Sequence, residues 1–587
     1  MFTKSSTDQD LRKAQSHLKK GEVADACHLY HSVIQTFSKQ GKALNESVYS
    51  TNKIINNNLI KKSLQDDVNE LINLYNNNKF SIVVEKAQAL TKQFPETFLY
   101  WNILGASAVQ IGMSDLAVVA LKKVISIKPN YSDAYNNISV AFKDQGKLDE
   151  SIEACRKAIS LNPNYATAYS NLGNALGEQC KFEEALEAYN KSISINPNYA
   201  DAYYNMGSTL RDKGELDKAI DAYKKAISLK FDNFLVFNNM GLTLKDQGKI
   251  EEAILAFQKS ISLNPNYAET HLNLGYVFLN DGKVREGLEE YEWRWKTKKG
   301  LSTQRHFRKP QWNGKINLKD KTILIWSEQG VGDNINWSAY LPFISSLAKH
   351  VILECPKKLV PLLSRSFPNV EVKAEDRSLD ADRDDFDLHL PMGSLYKYFI
   401  DEIMENGMAS SYLAPDPDRV KFWKDRLRSV GKGPYIGLSW KSSNMFSNRL
   451  QNYLLISDLY PILKMSNLTF INLQYKDYED DIAQVQDELG ITIHNFEDLD
   501  HFNDLLDVAS LCSALDITIT NKNSLSFISA GVGTSTKIAN WKQSPWNNNL
   551  HNPVGPLVEK FERNTWETWE NTVKSITNNI KKSNISG

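Results

Sequence analysis

Aromatic and small residues return along the first half of the chain with a period of 34 residues. The aromatic series is Trp101, Tyr135, Tyr169, Tyr203 and Phe237, and His271 takes the next position. A series of small residues keeps the same spacing: Ala117, Ser151, Ala185, Ala219, Ala253 and Gly287. Small residues let two helices approach closely, and each aromatic residue is placed to pack on the neighbouring unit. The pattern predicts a helix–turn–helix unit repeated every 34 residues.

Glycine and proline mark the ends of the predicted helices at the same period. The glycine series is Gly112, Gly146, Gly214, Gly248 and Gly282, with Cys180 in the missing position. The proline series is Pro95, Pro129, Pro163, Pro197 and Pro265, with Phe231 in the missing position. A second glycine series is Gly173, Gly207, Gly241 and Gly275. In each unit the glycine ends one helix, and the proline stops the other helix. One unit cannot bury its own apolar face, so the units are expected to stack into a solenoid.

This repeat resembles the tetratricopeptide repeat, and the resemblance covers residues 68–295. A looser helical pair at 9–37 resembles one further unit. Between them, residues 52–63 (NKIINNNLIKKS) are rich in asparagine and lack a clear period, which indicates a hinge or a distorted helix. We therefore expect an N-terminal helical region with one repeat-like hairpin at 1–65, followed by the repeat solenoid at 66–298.

One polar series within the repeats is a candidate binding surface. It consists of Asn137, Asn171, Asn205, Asn239 and Asn273, all on the first helix of a unit. A carboxamide both donates and accepts hydrogen bonds, so a row of them on a concave surface is suited to an extended peptide backbone. The series resembles the asparagine ladder of O-linked N-acetylglucosamine transferases, which holds protein substrates. The alternative interpretation is that these asparagines only hydrogen-bond their neighbours within the stack.

After residue 295 the period stops, and short β-branched runs alternate with helical segments. The predicted strands are 322–326, 350–355, 370–373, 385–390, 434–440, 468–475, 491–494, 515–520 and 536–541. The predicted helices are 334–348, 356–366, 454–464, 478–489 and 502–513. This alternation is typical of parallel sheets covered by helices, and Pro415, Pro417, Gly431 and Gly433 divide the region in two. The expected fold is an α-solenoid followed by an α/β module of two Rossmann-like lobes. The first lobe is residues 299–415 and the second lobe is residues 416–587.

Composition narrows the class of protein without identifying it. The chain has 587 residues, a formal net charge of −1 and 42% hydrophobic residues, which is ordinary for a soluble protein and gives no sign of a nucleic-acid partner. Its five cysteines are widely spaced, which favours a reducing compartment over a disulfide framework. The first residues lack the apolar core of a secretory signal, and no apolar run is long enough to span a bilayer. The expected location is the cytoplasm.

The run Ser327–Asn334 (SEQGVGDN) is the most specific candidate for chemistry. It follows a predicted strand and opens a predicted helix, where Gly330 and Gly332 let the backbone turn tightly and approach a ligand. Asp333 lies at the start of the helix, where a carboxylate either caps the helix or acts as a base. On local grounds alone, a capped strand–helix turn is a sufficient explanation of the motif.

The runs YEWRW, PQWNG, IGLSWKSSN and FINLQY surround this motif. Together they resemble bacterial proteins in which tetratricopeptide repeats precede a two-lobed, heptosyltransferase-like glycosyltransferase domain of the GT-B kind. The resemblance implies that Asp333 deprotonates the acceptor hydroxyl and that Gly330 and Gly332 form the adjoining loop. It also implies that the second lobe holds a nucleotide-sugar, that no metal or other cofactor is needed, and that the repeats deliver a protein, peptide or glycan acceptor.

The residues of the second lobe assigned to the nucleotide-sugar follow predicted strands or begin predicted helices. They are Trp440, Lys441, Ser442, Asn444, Gln474, Asp507, Asn523 and Ser524. Lys441 would offset the charge of a departing diphosphate, and Ser442 and Ser443 would donate hydrogen bonds to it. Gln474 would meet the base or ribose, and Asp507 a ribose hydroxyl. The alternatives are a solvated loop cation at Lys441 and a helix-start charge at Asp507.

The sequence departs from the family pattern at one position of this lobe. Phe527 stands where related enzymes carry a histidine, and the aromatic, glycine-rich segment expected afterwards is shortened to 541–546. The pairs Asp380/Asp382 and Asp382/Asp384 fit a metal-binding D-x-D pattern, but chance explains them in an acidic loop. Two functions therefore remain open: a glycosyltransferase, or a repeat scaffold for protein–protein interaction whose lobes are catalytically silent.

Overall fold

The computed structural model describes residues 13, 65–229, 233–406, 411–441, 453–541, 557–563 and 567–583. The predicted hairpin at 9–37 and the asparagine-rich segment at 52–63 lie outside these ranges, apart from residue 13. The chain divides into two compact units, Met1–Ala202 and Tyr203–Gly587. The described residues of the first unit, apart from residue 13, belong to the repeats, and the second unit contains the later repeats and the α/β region.

Helices follow one another from residue 65 to residue 303, as the 34-residue period predicts. Residues 65–76 form helix α1. The later helices are α2 (Phe80–Gln93), α3 (Phe98–Gln110), α4 (Ser114–Ile127), α5 (Ser132–Asp144), α6 (Leu148–Leu161), α7 (Ala166–Glu178), α8 (Phe182–Ile195), α9 (Ala200–Lys213), α10 (Leu216–Ser228), α11 (Phe234–Asp246), α12 (Ile250–Leu263), α13 (Ala268–Asn280), α14 (Val284–Tyr291) and α15 (Lys298–Thr303). A 3₁₀ turn at Glu292–Lys296 separates the last two.

The predicted turn glycines have the left-handed backbone that ends a helix. Within the repeats, φ is +71° at Gly112, +74° at Gly146 and +79° at Gly248. Cys180, which replaces glycine in the series, has φ +59° and so adopts the same conformation despite its side chain. The interpretation of these positions as helix ends is therefore confirmed.

The second glycine series explains how the helices of one unit approach each other. A β-carbon placed on Gly241 would lie 2.8 Å from the ring of Phe257, and one on Gly173 would lie 2.6 Å from the ring of Tyr189. Because neither ring has room to move away in a close-packed interior, only glycine fits at these contacts. The small residue near the start of each second helix is buried as well, as Ala185 shows.

The first lobe is built on a four-stranded parallel sheet. Its strands are β1 (Thr322–Trp326), β2 (His350–Cys355), β3 (Glu371–Ala374) and β4 (Leu388–Pro391). The strand order is β3-β2-β1-β4, and β1 pairs with both β2 and β4. The bounds predicted for β1 and β2 are confirmed. The helices that accompany the sheet are α16 (Val331–Ser338), α17 (Leu341–Leu347), α18 (Val360–Ser366) and α19 (Leu395–Asn406).

The second lobe has a six-stranded parallel sheet with the order β10-β9-β8-β5-β6-β7. Its strands are β5 (Tyr435–Ser439), β6 (Thr469–Asn472), β7 (Ile493–His494), β8 (Ile517–Asn521), β9 (Ser535–Trp541) and β10 (Val558–Arg563). Its helices are α20 (Pro417–Val430), α21 (Tyr460–Leu463), α22 (Glu479–Leu489), α23 (Leu505–Ala514), α24 (Ser524–Gly531) and α25 (Glu570–Lys582). Strand β10 and helix α25 were not predicted from the sequence. Helical repeats followed by two parallel α/β sheets confirm the expected fold class.

Candidate functional site

The turn between β1 and α16 carries the predicted base, Asp333. Its Oδ2 accepts a hydrogen bond of 3.2 Å from the amide of Gly330, so the carboxylate caps the helix that it opens. Asn334 Nδ2 donates to the carbonyl oxygens of Glu328 (3.1 Å) and Gly330 (2.9 Å), which folds the turn back onto the helix. Burial raises the pKa of Asp333, and the charge of Glu328 adds to this, while the Gly330 amide and Lys522 act in the opposite direction. The capping role is therefore present, and a catalytic role stays a prediction.

Glu328, in the same turn, forms a buried ion pair with Arg294 of the 3₁₀ turn. Arg294 Nε donates to Oε2 of Glu328 at 2.9 Å, and Nη2 donates to Oε1 at 2.8 Å. The amide of Gly393 also donates to Oε1 at 2.8 Å, and a β-carbon on Gly393 would lie only 2.5 Å from that oxygen. Both charged side chains are buried. Sequence reasoning missed this pair, because nothing in the spacing of the two motifs says that they meet.

In the second lobe, Asn523 caps α24 at the carboxyl end of β8. Its Oδ1 accepts from the amide of Ser526 (3.3 Å), and its Nδ2 donates to Ser439 Oγ at the end of β5 (3.2 Å). Asn521 Nδ2 donates to the carbonyl oxygen of Trp440 at 2.7 Å. These bonds join the ends of the two central strands and leave the first amides of α24, beginning at Ser524, at the sheet edge.

Gln474 holds the loop that follows β5. Its buried Oε1 accepts three hydrogen bonds, from Ser439 Oγ (3.1 Å) and from the amides of Trp440 (3.1 Å) and Lys441 (3.0 Å). Trp440 is fully buried, and its Nε1 donates to Asp481 Oδ2 at 2.7 Å. Gln474 and Trp440 thus lie at the same sheet edge as the α24 cap. The hydrogen bonds that they make there stabilise the loop that follows β5. Their contact with a nucleotide stays a prediction.

Two other predicted ligand contacts have protein partners. Lys441 Nζ lies 2.5 Å from Asp481 Oδ2, so its charge is offset within the lobe. Asp507 accepts from Arg419 Nε (2.8 Å) and from Trp423 Nε1 (2.7 Å), and Arg419 Nη2 donates to its second oxygen. This arrangement favours a structural role for Asp507 in packing α23 on α20. The remaining predicted contacts of this loop lie outside the described residues; they are Ser442, Ser443 and Asn444.

The two lobes meet where α16 and α24 begin. A β-carbon on Gly332 would lie 3.2 Å from the Cα of Ser524 and 3.4 Å from Cδ2 of Phe527. The helix start that carries Asp333 therefore lies against the helix start capped by Asn523. The sequence places these residues in separate lobes, and the fold brings them to one junction. We call Gly332, Asp333, Asn523 and Ser524 the lobe junction.

Sequence reasoning missed two lysines beside the lobe junction. Lys522 precedes Asn523, and burial lowers its pKa to about 7, with Lys560 acting in the same direction and Asp333 and Glu562 opposing it. Lys560 lies on β10, where burial lowers its pKa to about 8 and Glu562 opposes the shift. The charges of the two lysines therefore interact beside the lobe junction. Lys560 lies beside the lobe junction because it belongs to β10. Since that strand was not predicted, no local feature of the sequence indicated the position of Lys560.

The asparagine series of the repeats makes hydrogen bonds within the stack. Three members donate from Nδ2 to the preceding unit: Asn171 to Asn136 Oδ1 (2.9 Å), Asn239 to Tyr204 Oη (3.1 Å) and Asn273 to Asn238 Oδ1 (3.1 Å). Asn137 Oδ1 accepts from its neighbour Asn136, and both Asn137 and Asn205 are part-buried. Bonding within the stack is thus observed for members of the series, and peptide contact stays a prediction for all five.

The acidic loop of the first lobe has ordinary ion-pair partners. Asp380 pairs with Arg305, and Asp382 lies 3.2 Å from Arg308. Within the described ranges, no group of three histidine, cysteine, aspartate or glutamate side chains is arranged to hold a metal ion. In the same part of the chain, no helix has both the length and the apolar character needed to cross a bilayer.

Comparison with protein families identifies the repeats. A family model described as TPR repeat matches residues 140–179, 207–248 and 243–282. Two models described as tetratricopeptide repeat match residues 166–199 and 188–221. This chain contains tetratricopeptide repeats. These matches describe repeats and therefore name no enzyme class for the α/β region.

Known proteins with similar sequence or structure overlap the tetratricopeptide-repeat chain in part. Protein FlbA of Caulobacter vibrioides is 31% identical over 315 residues, which is 50% of this chain and 52% of FlbA. The chain thus spans about half the length of this curated relative. A crystal structure of MamA is 32% identical and covers 28% of this chain and 97% of its own, with a TM-score of 0.25. YrrB, a TPR protein with an unusual peptide-binding site, is 21% identical over 30% of this chain and 92% of its own, with a TM-score of 0.25.

Proposed function

We propose that this protein is a metal-independent glycosyltransferase that moves a sugar from a nucleotide-sugar to a hydroxyl group of a protein, peptide or glycan. The observation that carries the proposal is the lobe junction. There Asp333, a carboxylate of raised pKa, lies in the first turn of one helix, the start of α24 lies against that helix, and the charge of Lys522 acts on the pKa of Asp333. A base for an alcohol and a site for an anionic leaving group are the two requirements of this reaction.

The proposed reaction is a direct displacement. The oxygen of the acceptor hydroxyl forms a bond to the anomeric carbon of the sugar, and Asp333 accepts the proton of that hydroxyl at the same time. The bond from that carbon to the diphosphate oxygen breaks, and the nucleoside diphosphate leaves with the electron pair. Lys522 and the first amides of α24 offset the charge that develops on it. Lys522 is proposed for this role beside Lys441, whose ammonium pairs with Asp481.

The repeats support a protein or peptide acceptor. Tetratricopeptide repeats stack into extended curved surfaces of the kind that bind other proteins. Asn171 and Asn273 use their Nδ2 groups in the bonds described within the stack, and their carboxamide oxygens are the proposed acceptors for a peptide backbone. We propose that such an acceptor is bound there. The cytoplasm is the proposed location.

A second candidate function is a catalytically silent scaffold. Phe527 favours it, since its ring packs against Gly332 at the place where the related enzymes carry a histidine. Thermal denaturation of the full chain with a panel of nucleoside diphosphates and their sugars separates the two. A binding enzyme is expected to gain about 2.7 kcal/mol at a hundredfold excess over Kd. A chain whose melting temperature responds to none of the panel would be a scaffold.

The affinity for a nucleoside diphosphate is expected to depend on pH through Lys522. Its lowered pKa of about 7 means that the ammonium is present below pH 7 and is lost as the pH rises through that value. We therefore expect the affinity of the wild-type chain for UDP, relative to a Lys522→Met variant, to be highest near pH 6. It should fall about tenfold by pH 8.5 because one charge-assisted contact is lost.

Titration calorimetry measures the affinity of wild type and of Lys522→Met for UDP at each pH. The ratio of the two affinities is independent of the titration of the phosphate, because both chains bind the same ligand. Lys464→Met, which removes an exposed lysine of the same lobe, is the matched control and should behave as wild type. A ratio that stays constant from pH 6 to pH 8.5 would exclude Lys522 from the anion site. If UDP does not bind, the same comparison is made with the nucleotide that raises the melting temperature most.

A further inference from the structure

The turn that precedes Asp333 is held by the last repeat unit as well as by its own lobe. We call residues 268–296 the terminal repeat; it comprises α13, α14 and the 3₁₀ turn. Arg294, at its end, is buried and directs all three nitrogens of its guanidinium at protein acceptors. Besides Glu328, these are Ser394 Oγ (2.8 Å), Glu292 Oε1 (2.5 Å) and the carbonyl oxygen of Tyr291 (3.4 Å). A guanidinium bound on every side fixes the position of Glu328.

A second contact holds the next residue of the turn. Gln329 has φ +61°, a left-handed conformation that a residue with a β-carbon rarely adopts. Its Nε2 donates to the hydroxyl of Tyr291 at 2.7 Å. Tyr291 is fully buried, and the Arg294 guanidinium stacks 4.4 Å from its ring centre. The strained residue of the turn is thus tied to a rigid aromatic side chain of the terminal repeat.

These contacts continue directly to the candidate base. Gln329 immediately precedes Gly330 in the chain. The amide of Gly330 in turn donates to the carboxylate of Asp333 at 3.2 Å. A continuous path of covalent and hydrogen bonds therefore runs from Tyr291 to Asp333.

A third residue of the terminal repeat lies near Asp333 itself. Burial raises the pKa of Tyr276 to about 12, and the charge of Asp333 adds to the shift. Tyr276 is on α13, one helical turn after Asn273, so the two side chains lie on the same side of that helix. The side of α13 that carries the asparagine series therefore also carries a side chain whose pKa responds to the charge of Asp333.

We infer that Tyr291 and Arg294 are positioning residues of the proposed transfer reaction, and that the terminal repeat is part of the site. They fix the backbone of residues 328–330, and the hydrogen bond from the Gly330 amide then orients the carboxylate of Asp333. The inference rests on the proposed function for its catalytic meaning. The structural half, that the terminal repeat holds the turn, is testable without any substrate.

The chain itself supplies a mild substitution for the test. Residues Tyr189, Tyr223, Phe257 and Tyr291 occupy the same position in successive units, 34 residues apart. Phenylalanine occupies the equivalent position of the preceding unit, where the ring of Phe257 lies against Gly241. Tyr291→Phe is therefore expected to fold while losing the hydroxyl that holds Gln329. Tyr223→Phe is the matched control, because its hydroxyl bonds to Ser208 within the repeats.

Hydrogen–deuterium exchange of the full chain tests the structural half. In Tyr291→Phe the amides of residues 328–334 are expected to exchange about fivefold faster than in wild type, since one hydrogen bond that closes the turn is lost. The melting temperature should change by no more than about 2 °C. Tyr223→Phe should leave exchange in the turn unchanged. Equal exchange in the turn of wild type and Tyr291→Phe would overturn the inference.

Steady-state kinetics tests whether Tyr291 positions the base for catalysis. The substrate is the nucleotide-sugar that the wild-type chain hydrolyses or transfers. Tyr291→Phe is expected to lower kcat about fivefold and leave the KM for that donor unchanged, because the base is displaced while the donor site in the other lobe is intact. An unchanged kcat would remove the positioning role. A wild-type chain that transfers no sugar would overturn the proposed function, and the exchange comparison would still decide whether the terminal repeat holds the turn.

Discussion

Replacing Asp333 by asparagine is expected to lower sugar transfer by about 10²–10⁴-fold, the range that a general base contributes. An amide cannot take the proton of the acceptor hydroxyl. Its oxygen can still accept the hydrogen bond from the Gly330 amide, so the cap of α16 and the fold are retained. Initial rates with the full chain measure the loss, and titration with the nucleoside diphosphate should give an unchanged Kd.

Asp504→Asn is the matched control for this substitution. Asp504 also caps a helix, accepting from the amide of Asp507 at 3.0 Å, but it belongs to α23 rather than to the lobe junction. The control should transfer sugar at the wild-type rate. If Asp333→Asn is as active as the control, Asp333 is a helix cap and nothing more, and the proposed mechanism loses its base.

The second large effect is expected from Arg294→Met, which should lower the free energy of unfolding by about 3–5 kcal/mol. The substitution leaves Glu328 buried without the cation that compensates its charge, and Glu292 loses the same partner. Chemical denaturation followed by circular dichroism measures the change. Arg308→Met removes an exposed ion pair with Asp382 and is expected to cost less than about 1 kcal/mol.

A double variant distinguishes an uncompensated charge from lost packing as the cause of this loss of stability. Arg294→Met combined with Glu328→Leu removes both charges and should recover part of the lost stability, since an apolar pair of similar volume often replaces a buried ion pair without net cost. If the double variant is as unstable as the sum of the two single variants, the loss comes from packing around Trp295 and Tyr291 rather than from an uncompensated charge.

Much of the fold was predictable because its signals are local. The repeats are marked by glycine, proline and small residues at a fixed period, and even Cys180 adopts the backbone conformation of the glycine that it replaces. Strands β1 and β2 are short apolar runs with clear limits. By contrast β10 (VEKFER) has only two apolar residues, Val558 and Phe561, each followed by two charged ones, so it has no continuous apolar run to mark it.

The candidate site was predictable only in its glycines, its helix starts and Asp333. The Arg294–Glu328 pair and the approach of Lys560 to Lys522 depend on how distant segments pack, and a lone charged residue in a sequence is ordinarily solvated.

The same physics applies to two predicted ligand contacts in the second lobe. Lys441 and Asp507 stay predicted contacts of the nucleotide-sugar, and the structure gives each of them a protein partner. Their partners Asp481 and Arg419 lie too far along the chain to be paired by inspection, because the sequence alone does not show which helices pack together.

The close contact of Gly332 with Ser524 has a thermodynamic consequence for any nucleotide. If a diphosphate binds between these helix starts as proposed, it must first separate them, and only the fraction of molecules with the junction open would be competent to bind. The apparent Kd then equals the intrinsic Kd divided by that fraction. Substitutions that loosen the packing of Phe527 on Gly332 would enlarge the open population, and tighter nucleotide binding would follow without any new contact to the ligand.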